Sequence, residues 1–269
     1  MNRIDKKFAE LRRQKRKGFI AYVCAGDPNL NATAELALAF ERAGVDIVEF
    51  GIPFSDPLAD GIVNQCASQR ALAKGATVDK VLKTVRKIRE MGCEVPIVLY
   101  SYYNPIFHYG PAKFIKDARQ AGADGLLNLE LPPEEADSYE RDMKKNGLHS
   151  IFLVAPTSPE ERIRKIAKKA GGFIYYVSRE GVTGERSSME NSMPAMVKKI
   201  RKHSRLPVVV GFGISKPEHV VEVAKVADAV VVGSFIVKKI AEIGNKPNLI
   251  ADITRHVRKL VKPLERSGA

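Results

Sequence analysis

Nowhere does the 269-residue sequence carry an apolar run approaching the ~18 to 20 residues needed to cross a bilayer, so no membrane partner is expected. The opening Met1-Asn-Arg-Ile-Asp-Lys-Lys-Phe8 puts charges where a secretory signal needs an apolar core, and a cytoplasmic location is the expectation. Cysteine is scarce. Cys24, Cys66 and Cys93 are odd in number, far apart and without metal-ligand spacing, which argues against a disulfide framework or a zinc site and fits a reducing compartment. Each reads as a small buried hydrophobe. A dinucleotide fingerprint and a pyridoxal lysine motif are both missing, so no cofactor or metal is expected in this chain. Acidic residues are outnumbered, 31 to 44, a formal net charge of +13 that would admit nucleic acid or an anionic ligand. The basic residues recur on the polar faces of expected helices, with no interleaved aromatics and no nucleic-acid motif. Solvated helix faces explain most of them, and no nucleic-acid partner is expected. The densest run, Arg12-Arg-Gln-Lys-Arg-Lys17, leaves affinity for a polyanion open.

What is present is a repeated alternation. A composition 45% hydrophobic and 28% charged belongs to a soluble globular chain, and 269 residues suit one α/β barrel of ~250 residues. Short apolar, partly β-branched stretches at 19–24, 46–50, 96–100, 125–129, 150–154, 173–177, 207–210 and 229–232 read as eight strands. Helical spacing of apolar residues fills 31–42, 62–72, 78–91, 112–121, 133–146, 159–169, 193–203 and 217–224. An extra N-terminal helix at 5–13 aligns Ile4, Phe8 and Leu11 into a stripe able to plug a barrel floor. A weak repeat, Ala43-Gly-Val-Asp46, Ala121-Gly-Ala-Asp124 and Val226-Ala-Asp228, joins helix ends to strand starts, and its glycines suit the left-handed helix cap. Together these predict an α/β fold, a single-domain (β/α)8 TIM barrel over residues 1–269. A doubly wound open sheet is the alternative.

Two carboxylates stand out. Glu49 lies among Ile47, Val48 and Phe50, where burying a charge is costly, and Asp60 ends the proline-shaped loop that follows. They could form an acid/base pair. On spacing alone each is read first as structural, Glu49 as an acceptor and Asp60-Gly61 as the cap of the helix at 62–72. Strands seven and eight run into Gly211-Phe-Gly213 and Gly233-Ser234, where unhindered N–H groups at a strand-to-helix junction can face an anion. Paired at those places in a barrel, Gly211, Gly213, Gly233 and Ser234 favour phosphate binding over mere tight turns.

The run Phe50-Gly-Ile-Pro-Phe-Ser-Asp-Pro-Leu-Ala-Asp-Gly61 closely resembles the signature of the tryptophan synthase α chain family. So do the Gly-Phe-Gly-Ile and Gly-Ser turns, Tyr102-Tyr-Asn-Pro105, Leu131-Pro-Pro-Glu-Glu135 and Tyr175-Tyr-Val-Ser-Arg-Glu-Gly-Val-Thr-Gly184. The likeness runs from Phe19 to Ile236. It implies reversible retro-aldol cleavage of indole-3-glycerol phosphate to indole and glyceraldehyde 3-phosphate, with Glu49 and Asp60 catalytic. It further implies substrate contacts from Tyr22, Tyr100, Leu127, Tyr175, Thr183, Gly184 and Phe212, Thr183 being the lid residue that meets the aspartate. Pro57, Asn104 and Glu130 would face a β chain in an α₂β₂ assembly, with pyridoxal phosphate held only by that partner. Glu130 stands where the family usually has aspartate, and Tyr22 and Tyr100 add hydroxyls to an indole pocket. Glu49, amid aliphatic side chains, should have a raised pKa, whereas Asp60 on a more polar loop should stay ionised. A different phosphate-sugar enzyme, a weakly catalytic activator of a β chain and a stand-alone lyase are the rival readings.

Overall fold

Strands β1 (Gly18–Cys24), β2 (Ile47–Gly51), β3 (Ile97–Ser101), β4 (Gly125–Asn128), β5 (His149–Val154), β6 (Ile174–Val177), β7 (Val208–Gly211) and β8 (Ala229–Val232) pair in sequence order, all parallel, and β8 closes on β1. The computed structural model describes residues 1–178, 192–211 and 213–265. The predicted barrel is therefore the observed one, and the open sheet is excluded by the β1–β8 pairing.

Alternation within each strand builds two cores. Ile20, Tyr22, Ile47, Val98, Leu127, Ile151, Phe173, Val209, Ala229 and Val231 point inward and fill the barrel, while Phe19, Ala21, Val48, Phe50, Ile97 and Leu99 point outward under the helices. Since both faces are buried, the strands read as continuous apolar runs. Glu49 shares the inward parity of Ile47, which is why a strand that is otherwise hydrophobic aims one carboxylate at the barrel axis. Helix α1 (Arg3–Arg13) seals the floor as expected: Ile4, Phe8 and Leu11 are buried with the inward set, and the Phe8 ring packs 5.9 Å from Phe173.

The outer layer comprises α2 (Leu30–Arg42), α3 (Ile62–Ala73), α4 (Val78–Glu90), α5 (Tyr103–Tyr109), α6 (Pro111–Ala121), α7 (Asp137–Lys145), α8 (Glu160–Lys169), α9 (Met193–His203), α10 (Pro217–Ala224), α11 (Ser234–Ile243) and α12 (Leu249–Glu265). The outer layer differs from the sequence reading in places. The helix expected at 133–146 divides into a 3₁₀ turn, Pro133–Glu135, and α7, with Ala136 ending the one and capping the other. Helix α5 follows a short loop and holds a proline in its first turn, too brief a segment for periodicity to reveal.

The Asp-terminated repeat has a structural role at the floor. Asp46, Asp124 and Asp228 each stand just before a strand, donate their N–H to Phe19, Ile97 and Val208 of the preceding neighbour, and accept that same residue's N–H on the carboxylate at 2.9 Å. Each carboxylate also carries an arginine: Arg16 on Asp46, Arg3 and Arg89 on Asp124, Arg201 on Asp228. Gly44 and Gly122, at φ +88° and +99°, supply the left-handed turns that lead into two of these clamps. Asp124 is fully buried, so Asp124→Ala leaves the Arg89 guanidinium with backbone carbonyls but no counter-charge, Arg3 with Glu94 alone, and the Ile97 N–H unpaired. It is expected to destabilise the barrel by about 3–5 kcal/mol in urea unfolding, far more than removal of an exposed pair such as Lys83–Asp79.

Candidate active site

At the carboxyl end of the barrel a cavity of about 330 Å³ opens between the β1, β2, β3, β5, β6, β7 and β8 ends, within the range usual for small-molecule sites. Glu49 and Asp60 both line it, with Tyr22, Tyr100 and Tyr175 on its walls and Gly211, Gly213, Gly233 and Ser234 on its rim. The groups picked out at opposite ends of the sequence thus converge.

Glu49 is almost wholly buried, and its Oε1 has no hydrogen-bond partner. Burial alone pushes its pKa up to about 8. At neutral pH it is therefore mainly the neutral acid, one deprotonation away from a base, as anticipated from its aliphatic neighbours. Its lateral neighbours across the sheet are Tyr22 and Val98.

Asp60 corrects the sequence reading. Its loop is polar in composition, but the carboxylate is largely enclosed, and that burial raises its pKa, opposed by hydrogen bonds from Tyr102, Asn64 and Tyr100. Tyr102 donates its hydroxyl to Oδ2 at 3.1 Å and Tyr100 to Oδ1 at 3.4 Å. What favours the charged form is therefore two phenols and the Asn64 amide. Nor is Asp60 the cap of α3: Gly61 holds that position, and no side chain caps the helix.

Backbone economy fixes the tyrosines. A Cβ on Gly51 would lie 2.3 Å from the Tyr22 hydroxyl, and one on Gly211 would lie 2.6 Å from the Tyr175 hydroxyl, so each glycine makes room for the ring that walls the cavity. Tyr22 meets Tyr100 edge to face at 5.2 Å. Ile62, Val63 and Leu153 add apolar surface beside the three tyrosine rings. At the rim Gly233 is the N-cap of α11, whose free N–H groups lie beside Ser234.

Other expected residues fall differently. Leu127 is fully buried in the barrel interior and does not line the cavity; it faces Tyr100 across the sheet and supports it from outside the cavity. Pro57 is buried, because the loop turns its ring inward, and its neighbour Leu58 stands out instead, 89% exposed. Asn104 and Glu130 are exposed, and Glu130 accepts the Tyr103 N–H at 3.2 Å. Thr183, Gly184 and Phe212 lie outside the described residues. Sequence reasoning missed Tyr102 as the holder of Asp60, since its partner is 42 positions away and only the β2–β3 register brings them together. It also missed Asn64, whose Oδ1 is buried without a partner.

A family model described as tryptophan synthase alpha chain matches residues 8–265. The tryptophan synthase alpha chain of Opitutus terrae is 50% identical over 267 residues, covering 99% of this chain and 100% of that one. The alpha chain of Geobacter sulfurreducens is 52% identical over 238 residues, covering 88% and 90%. Among solved structures, tryptophan synthase subunit alpha from Legionella pneumophila superposes with a TM-score of 0.88 at 38% identity, covering 98% of this chain and 99% of that one. A Mycobacterium tuberculosis tryptophan synthase structure gives 0.87 at 30% identity, covering 98% and 99%.

Proposed function

The chain belongs to the tryptophan synthase alpha chain family, and from that premise we propose that its cavity cleaves indole-3-glycerol phosphate reversibly to indole and glyceraldehyde 3-phosphate. The observation that carries this reading is the convergence of Glu49, Asp60 and the glycine-serine rim on one cavity.

Direct rupture of the bond between indole C3 and the glycerol chain would expel a poor carbanion, so C3 must first be protonated. Neutral Glu49 gives C3 its proton, and the positive charge that develops on the ring is met by Asp60 at the indole N–H. The Glu49 carboxylate so formed then takes the proton of the adjacent glycerol hydroxyl. As that oxygen becomes a carbonyl, the carbon–carbon bond breaks, its electron pair restores the aromatic ring, and Glu49 is neutral again. Gly213, Gly233, Ser234 and the α11 N-terminus hold the phosphate, with Gly211 keeping the wall thin enough for Tyr175. Tyr22, Tyr100 and Tyr175 enclose the ring. Thr183, Gly184 and Phe212 complete the enclosure in this reading, and Leu127 supports it from beneath. The chemistry calls for no organic cofactor or metal in this chain.

The partner is a β chain, which would hold the pyridoxal phosphate, in an α₂β₂ assembly. Support comes from the exposed Leu58 and from Phe107, 67% exposed, which with Pro57, Asn104 and Glu130 lie on the connections after β2, β3 and β4. Those loops are tied together by the Tyr102 hydroxyl accepting the Ala59 N–H and by Glu130 on Tyr103.

Incubating the purified chain with indole-3-glycerol phosphate, with and without a β chain, and following indole tests this. Indole and glyceraldehyde 3-phosphate in equal amounts, accelerated by the partner, are expected; no turnover in either mixture refutes it. Because the competent free form carries a protonated Glu49, kcat/KM for cleavage should fall as pH rises through about 8. A profile flat between pH 7 and 9 would contradict the assigned order of proton transfers.

A further inference from the structure

A second cavity, about 510 Å³, opens at the floor of the barrel, on the face opposite Glu49 and Asp60. It is formed where α1 ends, β1 begins and α9 runs into β7. Six cations line it: Arg12, Lys15, Arg16, Lys17, Arg201 and Arg205. Phe8, Leu11, Leu206 and Pro207 supply apolar walls, and Asp228 is its one acid.

The ordinary reasons for basic residues account for part of this set. Arg16 is bound to Asp46, and Lys17 and Arg201 approach Asp228 at 3.8 and 3.0 Å. Arg12 and Arg201 also lie in last helical turns, where cations complement the helix dipole. Arg12, Lys15 and Arg205, however, make no ion pair with any described residue, and Lys15 and Arg205 lie past their helix ends.

Lys15 adds an independent observation. Its φ of +52° makes it the one non-glycine residue with positive φ among the described residues. The N–H of Arg16 bonds Leu11 O and that of Lys15 bonds Arg12 O, a helix terminator in which glycine is the favoured residue. A lysine in that conformation is less stable than glycine would be, yet it puts a further charge on a cavity already strongly positive.

We propose that this floor cavity binds a compact anion carrying two or more phosphoryl groups. Clustered guanidinium and ammonium groups around a walled recess suit several closely spaced negative oxygens, and Arg12, Lys15 and Arg205, the three without a carboxylate partner, carry more charge than a single phosphate dianion neutralises. The site is separate from the phosphate grip at the barrel mouth, and its occupation does not depend on the lyase reading.

The test is calorimetric titration of the full chain with inorganic tripolyphosphate at about 0.15 M salt, where weak surface attraction is largely screened. One-to-one binding is expected, weakened at least about tenfold in an Arg12→Gln/Arg205→Gln variant, since each charge-assisted contact is worth about that factor. Lys15→Gly should also weaken it several-fold while leaving the thermal midpoint unchanged or higher, which separates loss of the site from loss of the fold. Ser234→Asp, which places a carboxylate at the mouth, should leave the affinity unaltered. Equal affinity in the floor variants, or binding abolished by Ser234→Asp, overturns the proposal. So does affinity for single-stranded oligonucleotides that grows steadily with their length, which would mark an open basic surface instead. Adenosine triphosphate in place of tripolyphosphate distinguishes the two phosphate sources: tighter binding shows that the apolar walls receive a base, equal binding that the phosphates alone are recognised, and either supports the site.

Discussion

Glu49→Gln is expected to lower kcat for indole-3-glycerol phosphate cleavage by about 10²- to 10⁴-fold, with KM changed by no more than about threefold. The amide keeps the shape of the side chain and its place between Tyr22 and Val98, but it can neither give a proton to C3 nor take one from the glycerol hydroxyl. In the proposed reading the substrate is gripped at the rim glycines and Ser234, which line the same cavity, so binding should survive. The same substitution should change stability in the opposite sense. Because burial raises the folded-state pKa of Glu49 from about 4.5 to about 8, the stability that its protonated form retains at low pH is progressively lost as pH rises through that interval. Glutamine does not ionise, so the variant should gain in thermal midpoint relative to the native chain between pH 5 and pH 8, and the gap should close toward pH 4. A variant that is inactive but shows no such pH-dependent gain would mean that Glu49 is not held neutral by its surroundings.

Asp60→Asn is expected to lower kcat by about 10²- to 10³-fold, the range found when one group facing developing transition-state charge is removed. Asparagine preserves the volume but keeps a single acceptor oxygen, so it can accept from only one of Tyr102 and Tyr100, and it offers no negative charge to the ring nitrogen. The loss should therefore fall mainly on kcat, and steady-state kinetics of the two variants would show it. Tyr102→Phe supplies the graded comparison. It removes one hydrogen bond that favours the charged carboxylate and one that holds the Ala59 N–H, so a decrease of about three- to tenfold is expected, with the Asp60 pKa moving further upward. An unchanged rate in Asp60→Asn would reduce that residue to a packing role.

The strands and their order were legible because each buried stretch is short, β-branched and separated by helical spacing, and a parallel sheet buried on both faces leaves that signature in local sequence. Boundaries moved by a residue or so where a polar residue does the work of a cap. Asp46, read as the first residue of a strand, instead clamps the neighbouring strand from outside it. The convergence of Glu49 with the rim turns also followed from the sequence, since in a parallel barrel all strand ends share one face. What remained hidden depends on contacts between distant segments. The enclosure of Asp60 is produced by tyrosines from β3 and the loop after it, and nothing in its own loop records them. Likewise Pro57 turns inward and Leu58 outward, although their neighbourhood was recognised. The inward parity of Leu127 was visible; its depth below the cavity was not, because depth is set by the stagger of neighbouring strands.

The central claim is that one cavity holds both the acids and the phosphate grip around a single substrate. A crystal structure of the Glu49→Gln variant soaked with indole-3-glycerol phosphate tests it most directly. The account predicts the phosphate on the N–H groups near Gly213, Gly233 and Ser234, the indole nitrogen within hydrogen-bond distance of Asp60, and C3 turned toward residue 49. A mouth cavity whose bound substrate holds its phosphate away from Gly213, Gly233 and Ser234, or its indole ring away from Asp60, would contradict it.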